Sequence, residues 1–335
     1  MPAGSAARTR RGRWGHVYGA LDLGTNNCRL LVARPTRGGF RVIDAFSRIV
    51  RLGEGLTGNG ELSDEAQART IAALQVCAAK MRRRGVTRRR MVATDACRRA
   101  TNGADFLARV IDETGLDLEL LTTNEEASLA VAGCTPLIDQ RARYALVFDI
   151  GGGSTELIWL GVRRGGRTRL EHWTSLPFGV VNLAERYGGE VIDPPVYEAM
   201  IEEVSAHLQP FRKAIERDGH KPAHQIQMLG TSGTVTTLGG VQLDLPYYDR
   251  RRVDGLWLDF VDALDIAERL RAMSFAERAA HPCIGRERAD LVVAGCAILA
   301  AICRAWPVGK LRVADRGLRE GMLLSMMRAA DNAGP

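Results

Sequence analysis

Asp22 and Asp149 each stand at the end of an apolar run, and each is followed two positions later by a glycine, Gly24 or Gly151. A carboxylate at a strand end is a hard oxygen donor, suited to Mg2+ or to its waters. A turn of glycine and small polar residues lets several backbone N–H groups converge on one anion. Together they make the chemistry of a phosphate held beside a divalent cation. The first copy reads ALDLGTNNCRLLV (residues 20–32) and the second VFDIGGGSTELIW (residues 147–159), at an offset of 127 residues. One Asp-x-Gly alone carries little information, because any tight turn can contain it. Gly151, Gly152 and Gly153 are more telling, since consecutive glycines between apolar strands are costly unless something must approach the backbone. A plain glycine hairpin is the competing reading, and the duplication weighs against it.

These hairpins need elements that bring them to one place. A second repeat runs in the same order: MVATDACR (91–98) and MLGTSGTV (228–235) each pass from an apolar strand through a Thr-containing loop into a helix. Their offset is 137 residues, close to the first. The pattern predicts two related domains facing each other across a cleft, at 16–137 and 138–335, with the final helix able to pack back on the first. Residues 1–15 (MPAGSAARTRRGRWG) read as a disordered basic tail. Strands are expected at 17–22, 28–33, 40–47, 118–121 and from 145 to 149. Helices are expected at 64–84, between Ser63 and Gly85, at 105–114, and at 125–132 with Asn124 as N-cap. Others are placed at 194–217, with a kink at Pro210, and at 234–239, 260–273, 286–304 and 317–328. Strands first and helices afterwards in each half give an α/β class with mixed sheets.

Composition bounds the alternatives. A chain of 335 residues exceeds what one core usually supports. With 46% hydrophobic and 25% charged residues it reads as an ordinary soluble globular protein. The uncharged run 291–303 is shorter than the roughly 20 residues of a membrane span and predicts a buried helix. No secretory signal is visible. Cys28, Cys77, Cys97, Cys134, Cys283, Cys296 and Cys303 lack paired metal spacing and sit mostly among apolar residues, as reduced thiols of a cytoplasmic protein would. His220 and His224 are separated by Pro222, so no helix aligns them on a metal. The net charge of +7 is concentrated between Lys80 and Arg99, where nine basic residues accompany one acid, Asp95. Such a patch favours a polyanion; a solvated helix end is the plainer reading of 82–90. Arg98 is different, because it opens the helix behind a strand and its guanidinium can meet an anion in the cleft. No nucleic-acid module or stacking pattern is present.

The residues resemble the exopolyphosphatase and guanosine pentaphosphate phosphatase family, within the actin, sugar kinase and heat-shock chaperone superfold. The resemblance covers about residues 16–328. ALDLGTNNCRLLV is similar to the family's first phosphate loop, and FDIGGGSTEL (148–157) to its second. VATDACRRATNG (92–103) resembles its Val-Ala-Thr-Ser-Ala segment and places Arg98 on the family's phosphate-contacting arginine. NEEASLAVAG (124–133) resembles its Glu-Glu-Ala segment and makes Glu126 the catalytic candidate. LPFGVVNLAERY, GTSGTVTTL and ADRGLREGML also match. Departures are few: Thr25 and Asn27 stand where Ser is common, Asp95 where a small residue is usual, and Asn124 where Glu or Gly is frequent. The chain stops soon after GLREGML, so it resembles the short two-domain form rather than members with added helical C-terminal domains.

What the resemblance implies is two duplicated actin-like (ribonuclease H-like) domains and hydrolysis of a terminal phosphoanhydride. Gly24, Thr25, Asn26, Asn27, Arg98, Gly151, Gly152, Gly153, Ser154, Thr155 and Gly233 would contact phosphate. Asp22 and Asp149 would hold Mg2+ or Mn2+. Glu126 would deprotonate the attacking water, a step worth about 10²–10⁴-fold; Glu156 is the second candidate, as base or as ligand of metal-bound water. The substrate is expected to be inorganic polyphosphate or guanosine pentaphosphate, with no nucleic-acid or membrane partner, and the protein a homodimer. A non-catalytic sensor is disfavoured by the intact Glu126, Asp149 and Glu156. A sugar kinase or ATP-driven chaperone would need an adenosine pocket near 230–240, and the specific motifs disfavour it.

Overall fold

The structure, a computed structural model, describes residues 13–219 and 223–332. The apolar run before Asp22 forms β1 (Tyr18–Leu23), which turns through the first loop into β2 (Asn27–Thr36) and on into β3 (Gly39–Ile49). After α1 (Leu56–Asn59) and α2 (Asp64–Arg83), the chain enters β4 (Arg88–Ala93), parallel to β1. Two helices, α3 (Asp95–Arg99) and α4 (Gly103–Thr114), precede β5 (Glu119–Leu120), and α5 (Thr123–Cys134) follows it. The sheet order is β3-β2-β1-β4-β5.

The second half repeats this plan. β6 (Tyr144–Ile150), β7 (Thr155–Val162) and β8 (Thr168–Leu176) form an antiparallel meander. α6 (Val180–Tyr187) and α7 (Pro194–Arg217) lead to β9 (Ile226–Thr231), parallel to β6. α8 (Ser232–Gln242), α9 (Arg250–Val253), β10 (Trp257–Asp259), α10 (Phe260–Ala272), α11 (Phe275–Ala280) and α12 (Val292–Ala305) then precede β11 (Lys310–Ala314). The sheet order is β10-β11-β9-β6-β7-β8. Without its edge strand β10 it has the same order and strand directions as the first sheet. Equivalent residues obey the 127-residue offset down to register: Asp22 lies opposite Arg29, and Asp149 opposite Glu156.

α12 carries the uncharged run, and Val292 through Cys303 are all buried in the larger core, packed on α7. The last helix, α13 (Leu318–Asn332), returns to the first sheet. Its Leu318, Met322, Leu323 and Met327 pack against Tyr18, Ala20 and Leu31. All seven cysteines are unpaired and buried. Among the described residues no helix is long and apolar enough to cross a membrane.

Three local expectations are corrected. The helix at 125–132 begins at Thr123, with Thr122 rather than Asn124 as N-cap. Thr122 and Glu125 form a reciprocal capping box, which satisfies two backbone donors where Asn124 would satisfy one. Residues 13–15 of the expected tail form a short 3-10 turn, held by an Arg13–Asp331 ion pair at 3.0 Å and by Tyr18 Oη donating to Arg13 O; residues 1–12 lie outside the described residues, as does His220. The stretch 286–304 divides into a 3-10 turn at Arg286–Arg288 and α12. α7 remains one helix through Pro210.

α5 and α13 cross at glycines. A Cβ on Gly321 would collide with Leu129 O, and one on Gly133 with Gly317 O. This close crossing sets the height of α5 and hence of Glu126. Alanine is worth about 0.5–1 kcal/mol more than glycine in a free helix. Here Gly321→Ala is expected to destabilise by about 1–3 kcal/mol through overpacking, read as a lower melting temperature. A stabilised variant would show that the crossing yields.

Candidate active site

The duplicated strands bring the two loops face to face. Gly24 N donates to Asn27 O and Gly151 N to Ser154 O, both at 2.9 Å, so the two turns close identically. The loops also touch each other. A Cβ on Gly152 would lie 3.0 Å from Thr25 Cβ and 3.1 Å from Asn26 N, and one on Gly153 would collide with Asp95 Oδ2. Among the described residues, the amides of Thr25, Asn26, Gly152 and Gly153 donate to no backbone or side-chain acceptor. They are free to bind an anion.

Each loop is held from behind by a different segment. Val50 N and Arg51 N donate to Asn26 O at 2.9 and 3.1 Å, and Gly53 N to Thr25 O at 2.9 Å. Val180 N and Val181 N donate to Gly151 O and Gly152 O. Asn182 Nδ2 donates to Gly153 O at 2.9 Å while its Oδ1 accepts from Gly179 N.

The cleft between the loops is small, about 80 Å³, and rich in carboxylates. Asp22 and Asp149 line it from the two sheets, with Glu126 from α5 and Glu156 from β7. Burial pushes every one of them upward. Asp149 rises to about 6 through burial, against the Arg29 charge and a hydrogen bond from Ser232. Glu156 rises to about 7, again through burial, with the Asp149 charge adding. Asp22 is raised by burial against Arg29 and Arg319. Glu126 is raised well above the usual carboxylate range by burial and then by the Glu156 charge, with Arg98 opposing.

The two glutamates differ in their hydrogen bonds. Glu156 Oε1 accepts from Ser154 Oγ at 2.6 Å and from Ser175 Oγ at 3.0 Å. Glu126 Oε2 is buried without a hydrogen-bond partner, and Arg98 Nη1 lies 3.5 Å from it. Asn26 Oδ1 and Asn27 Oδ1 are likewise buried and unpartnered.

Of the residues singled out in the sequence, Asp22, Gly24, Thr25, Asn26, Asn27, Glu126, Asp149, Gly151, Gly152, Gly153, Ser154 and Glu156 all line this one cleft. Arg98 stands behind it: Nη1 donates to Leu121 O at 2.8 Å and Nη2 lies 3.6 Å from Asp95 Oδ1. Thr155 points away, its hydroxyl donating to Phe178 O. Gly233 lines the neighbouring cavities instead. Asp95 is in the cleft wall with its charge shared by Arg98 and Arg99.

Arg29 and Ser232 line the cleft in addition to the residues expected from the sequence, and both carry a signal there. The 127-residue offset maps Arg29 onto Glu156, and the 137-residue offset maps Ser232 onto Asp95. Ser232 starts α8 with φ of 78°, an unusual left-handed conformation for a residue with a side chain. Asn182 falls inside LPFGVVNLAERY, one of the matching segments, but nothing in the spacing marks Gly153, 29 residues away, as its partner.

Comparison with known proteins agrees with this geometry. Residues 31–330 match the Ppx/GppA phosphatase family. Over 322 residues the chain is 30% identical to exopolyphosphatase 2 of Mycobacterium tuberculosis, covering 92% of this chain and 97% of that protein. The crystal structure of the Ppx/GppA family member of Aquifex aeolicus superposes with a TM-score of 0.76 at 27% identity, covering 96% of this chain and 99% of that one. An exopolyphosphatase from Cytophaga hutchinsonii shares the fold, with a TM-score of 0.84 at 24% identity over 93% of this chain and 98% of its own. The duplicated sheets are thus those of a two-domain actin-like fold, and the chain belongs to the Ppx/GppA phosphatase family of phosphoanhydride hydrolases.

Proposed function

We propose that this exopolyphosphatase-type enzyme acts on inorganic polyphosphate, releasing orthophosphate from the chain end with the help of Mg2+ or Mn2+. The observation that carries the choice of substrate is the cavity continuing from the cleft. It measures about 610 Å³ and shares Asp22, Arg29, Asp149 and Ser232 with the cleft. Arg250 and Arg316 in its wall are paired with Glu320 and Asp254. Arg29, Arg48, Arg286 and Arg288 line it too, and among the described residues none has a carboxylate within ion-pair distance. The wall holds Asp22, Asp149, Glu287, Asp315 and Glu320 as well, but its seven arginines outnumber these five acids, and a cavity that is basic on balance suits a chain of repeating anions.

The donor set fits a hard divalent cation. Among the described residues no three His, Cys, Asp or Glu side chains are close enough to hold a metal by themselves. Magnesium is typically bound through one or two carboxylates together with phosphate oxygens and waters, which Asp22 and Asp149 can provide. When bound, the ion would neutralise charge moving to the leaving oxygen.

The chain's own groups do the rest. The free amides of Thr25, Asn26, Gly152 and Gly153 would receive the oxygens of the terminal phosphate. Glu126, whose ionised form a bound cation would favour by offsetting the neighbouring acids, would take the proton of the attacking water on Oε2, which no other donor occupies. Glu156, already accepting two hydroxyls, would hold rather than react. Arg98, beside Glu126, would steady that carboxylate as its charge changes. The shortened chain leaves with the bridging oxygen's electron pair. A cytoplasmic setting is in keeping with seven free thiols.

Guanosine pentaphosphate is the second reading, favoured by Phe46, Tyr248, Pro282 and Ile284 in the same cavity, which could cover a base. Orthophosphate release at matched terminal-phosphate concentration separates the two; faster release from polyphosphate is expected, and a preference for the nucleotide would reverse the assignment.

Glu126→Gln is expected to lower kcat by about 10²–10⁴-fold while polyphosphate binding is retained. Near-normal turnover would hand the proton to Glu156. The raised carboxylates also set a pH dependence. Between an ordinary carboxylate pKa of about 4 and the folded values of about 6 for Asp149 and about 7 for Glu156, the folded protein holds more protons than the unfolded chain. Stability therefore falls as pH rises through that window. The metal-free melting temperature should be lower at about pH 8 than at about pH 5.5, with Mg2+ reducing the difference. A flat profile would show that these groups ionise normally.

A further inference from the structure

Both phosphate loops depend on segments outside them, and one such segment crosses the cleft. Arg51 donates its backbone N–H to Asn26 O in the first loop. Its side chain reaches the other domain, where Nη1 and Nη2 meet Asp290 Oδ2 and Oδ1, each at 2.8 Å. Nη2 also donates to Glu287 O at 3.0 Å. A bidentate, charge-assisted pair of this kind fixes orientation as well as distance. The Arg51 backbone has φ of 47°, a conformation that a residue with a side chain adopts only when its surroundings impose it. Arg69 helps to impose it, donating from Nε to Val50 O at 3.2 Å and pairing with Glu54. The same residue thus holds the phosphate loop with its backbone and the opposite domain with its guanidinium.

Asp290 packs on Gly189, whose neighbour Glu190 accepts through its carbonyl from a second arginine, Arg278. Arg278, on α11, is 1% exposed. Only Nη2 is engaged, by Glu190 O, while Nε and Nη1 are buried with no partner. Burial depresses its pKa, and Asp290 is the acid whose charge most strongly opposes that. A buried guanidinium with two idle donors is costly unless a carboxylate can come to it.

We propose that the Arg51–Asp290 pair is a closure latch that positions the first phosphate loop, and that Asp290 passes to Arg278 when the cleft opens. With the domains shut, Asp290 binds Arg51 and leaves Arg278 unsatisfied. When the first domain withdraws, Arg51 goes with it, and the freed carboxylate turns to the idle donors of Arg278. One anion with two discrete partners is a two-state element. It keeps closure close to balance, so that the cleft can open for each new chain end. It also ties the seating of Asn26 and Thr25 to the shut state. The inference rests on the cleft being the site of hydrolysis and not on which substrate is taken.

The test uses the full chain with Asp290→Asn and Arg278→Met, and Arg51→Lys as a conservative control. In the absence of substrate, small-angle X-ray scattering reads closure, and hydrogen exchange of the Val50, Arg51 and Gly53 amides reads the loop's support. Asp290→Asn is expected to enlarge the radius of gyration and speed that exchange about tenfold or more, and Arg278→Met to do neither. With long-chain polyphosphate, Asp290→Asn should raise KM about tenfold with a smaller change in kcat. Arg278→Met should lower kcat without raising KM, because opening is slowed. Arg51→Lys should fall between wild type and Asp290→Asn. Identical behaviour of Asp290→Asn and Arg278→Met, or unchanged scattering and exchange in Asp290→Asn, would overturn the latch. Melting curves identify a variant that merely unfolds, and Arg51→Lys then carries the comparison. Scattering and exchange need no turnover, so a failure of the polyphosphate assignment would leave this outcome readable.

Discussion

Everything in this molecule is arranged around the contact of two glycine turns that come from opposite sheets. Gly152 meets Thr25 and Asn26, and Gly153 meets Asp95, with no room for a methyl group between them. That closeness brings free amides from both halves onto one small volume, and it brings the strand-end aspartates with them. The approach is possible because each loop is supported away from its working face. Residues 50–53 hold the first loop, and the start of α6 together with Asn182 holds the second. A turn stabilised by its own side chains would have used up the donors that the anion needs.

The second consequence is electrostatic. Asp22, Asp149, Glu126 and Glu156 share a space too small to hydrate them well, and burial lifts the pKa of each. Such a group of acids opposes folding at neutral pH, and the protein accepts it only partly compensated. Ser154 and Ser175 bond to Glu156, and Arg98 stands beside Glu126, but the Glu126 oxygen stays without a donor. Full satisfaction would give a more stable cleft and a poorer base. The larger cavity alongside leans the other way, its wall holding seven arginines against five acids. The two imbalances share an edge at Asp22, Arg29 and Asp149.

Much of this was legible in the sequence, because the site rests on backbone chemistry. Turns that must approach an anion need glycine, and strand-end ligands need aspartate, so the duplicated hairpins stand out and the fold class follows from them. Arg29 was equally legible through the offset that maps it onto Glu156, but a lone arginine in an arginine-rich chain does not draw notice. α5 starts two residues before the expected position: Asn124 is a good cap alone, and only the Thr122–Glu125 reciprocity outweighs it. Partnerships such as Asn182 with Gly153, or Arg51 with Asp290, leave no local trace. They join residues that nothing in spacing or periodicity relates.

The return of α13 to the first sheet settles which body bears each described end of the chain. Arg13 and Asp331 form an ion pair, so both ends lie side by side on the first domain. Topologically the second domain is a cassette spliced into the first, entered after α5 and left before α13. Cargo fused at either end would therefore ride on one body and leave the other unloaded. Two tethers also restrain the cassette more than a single linker would, as a pair of hinges holds a door to its frame.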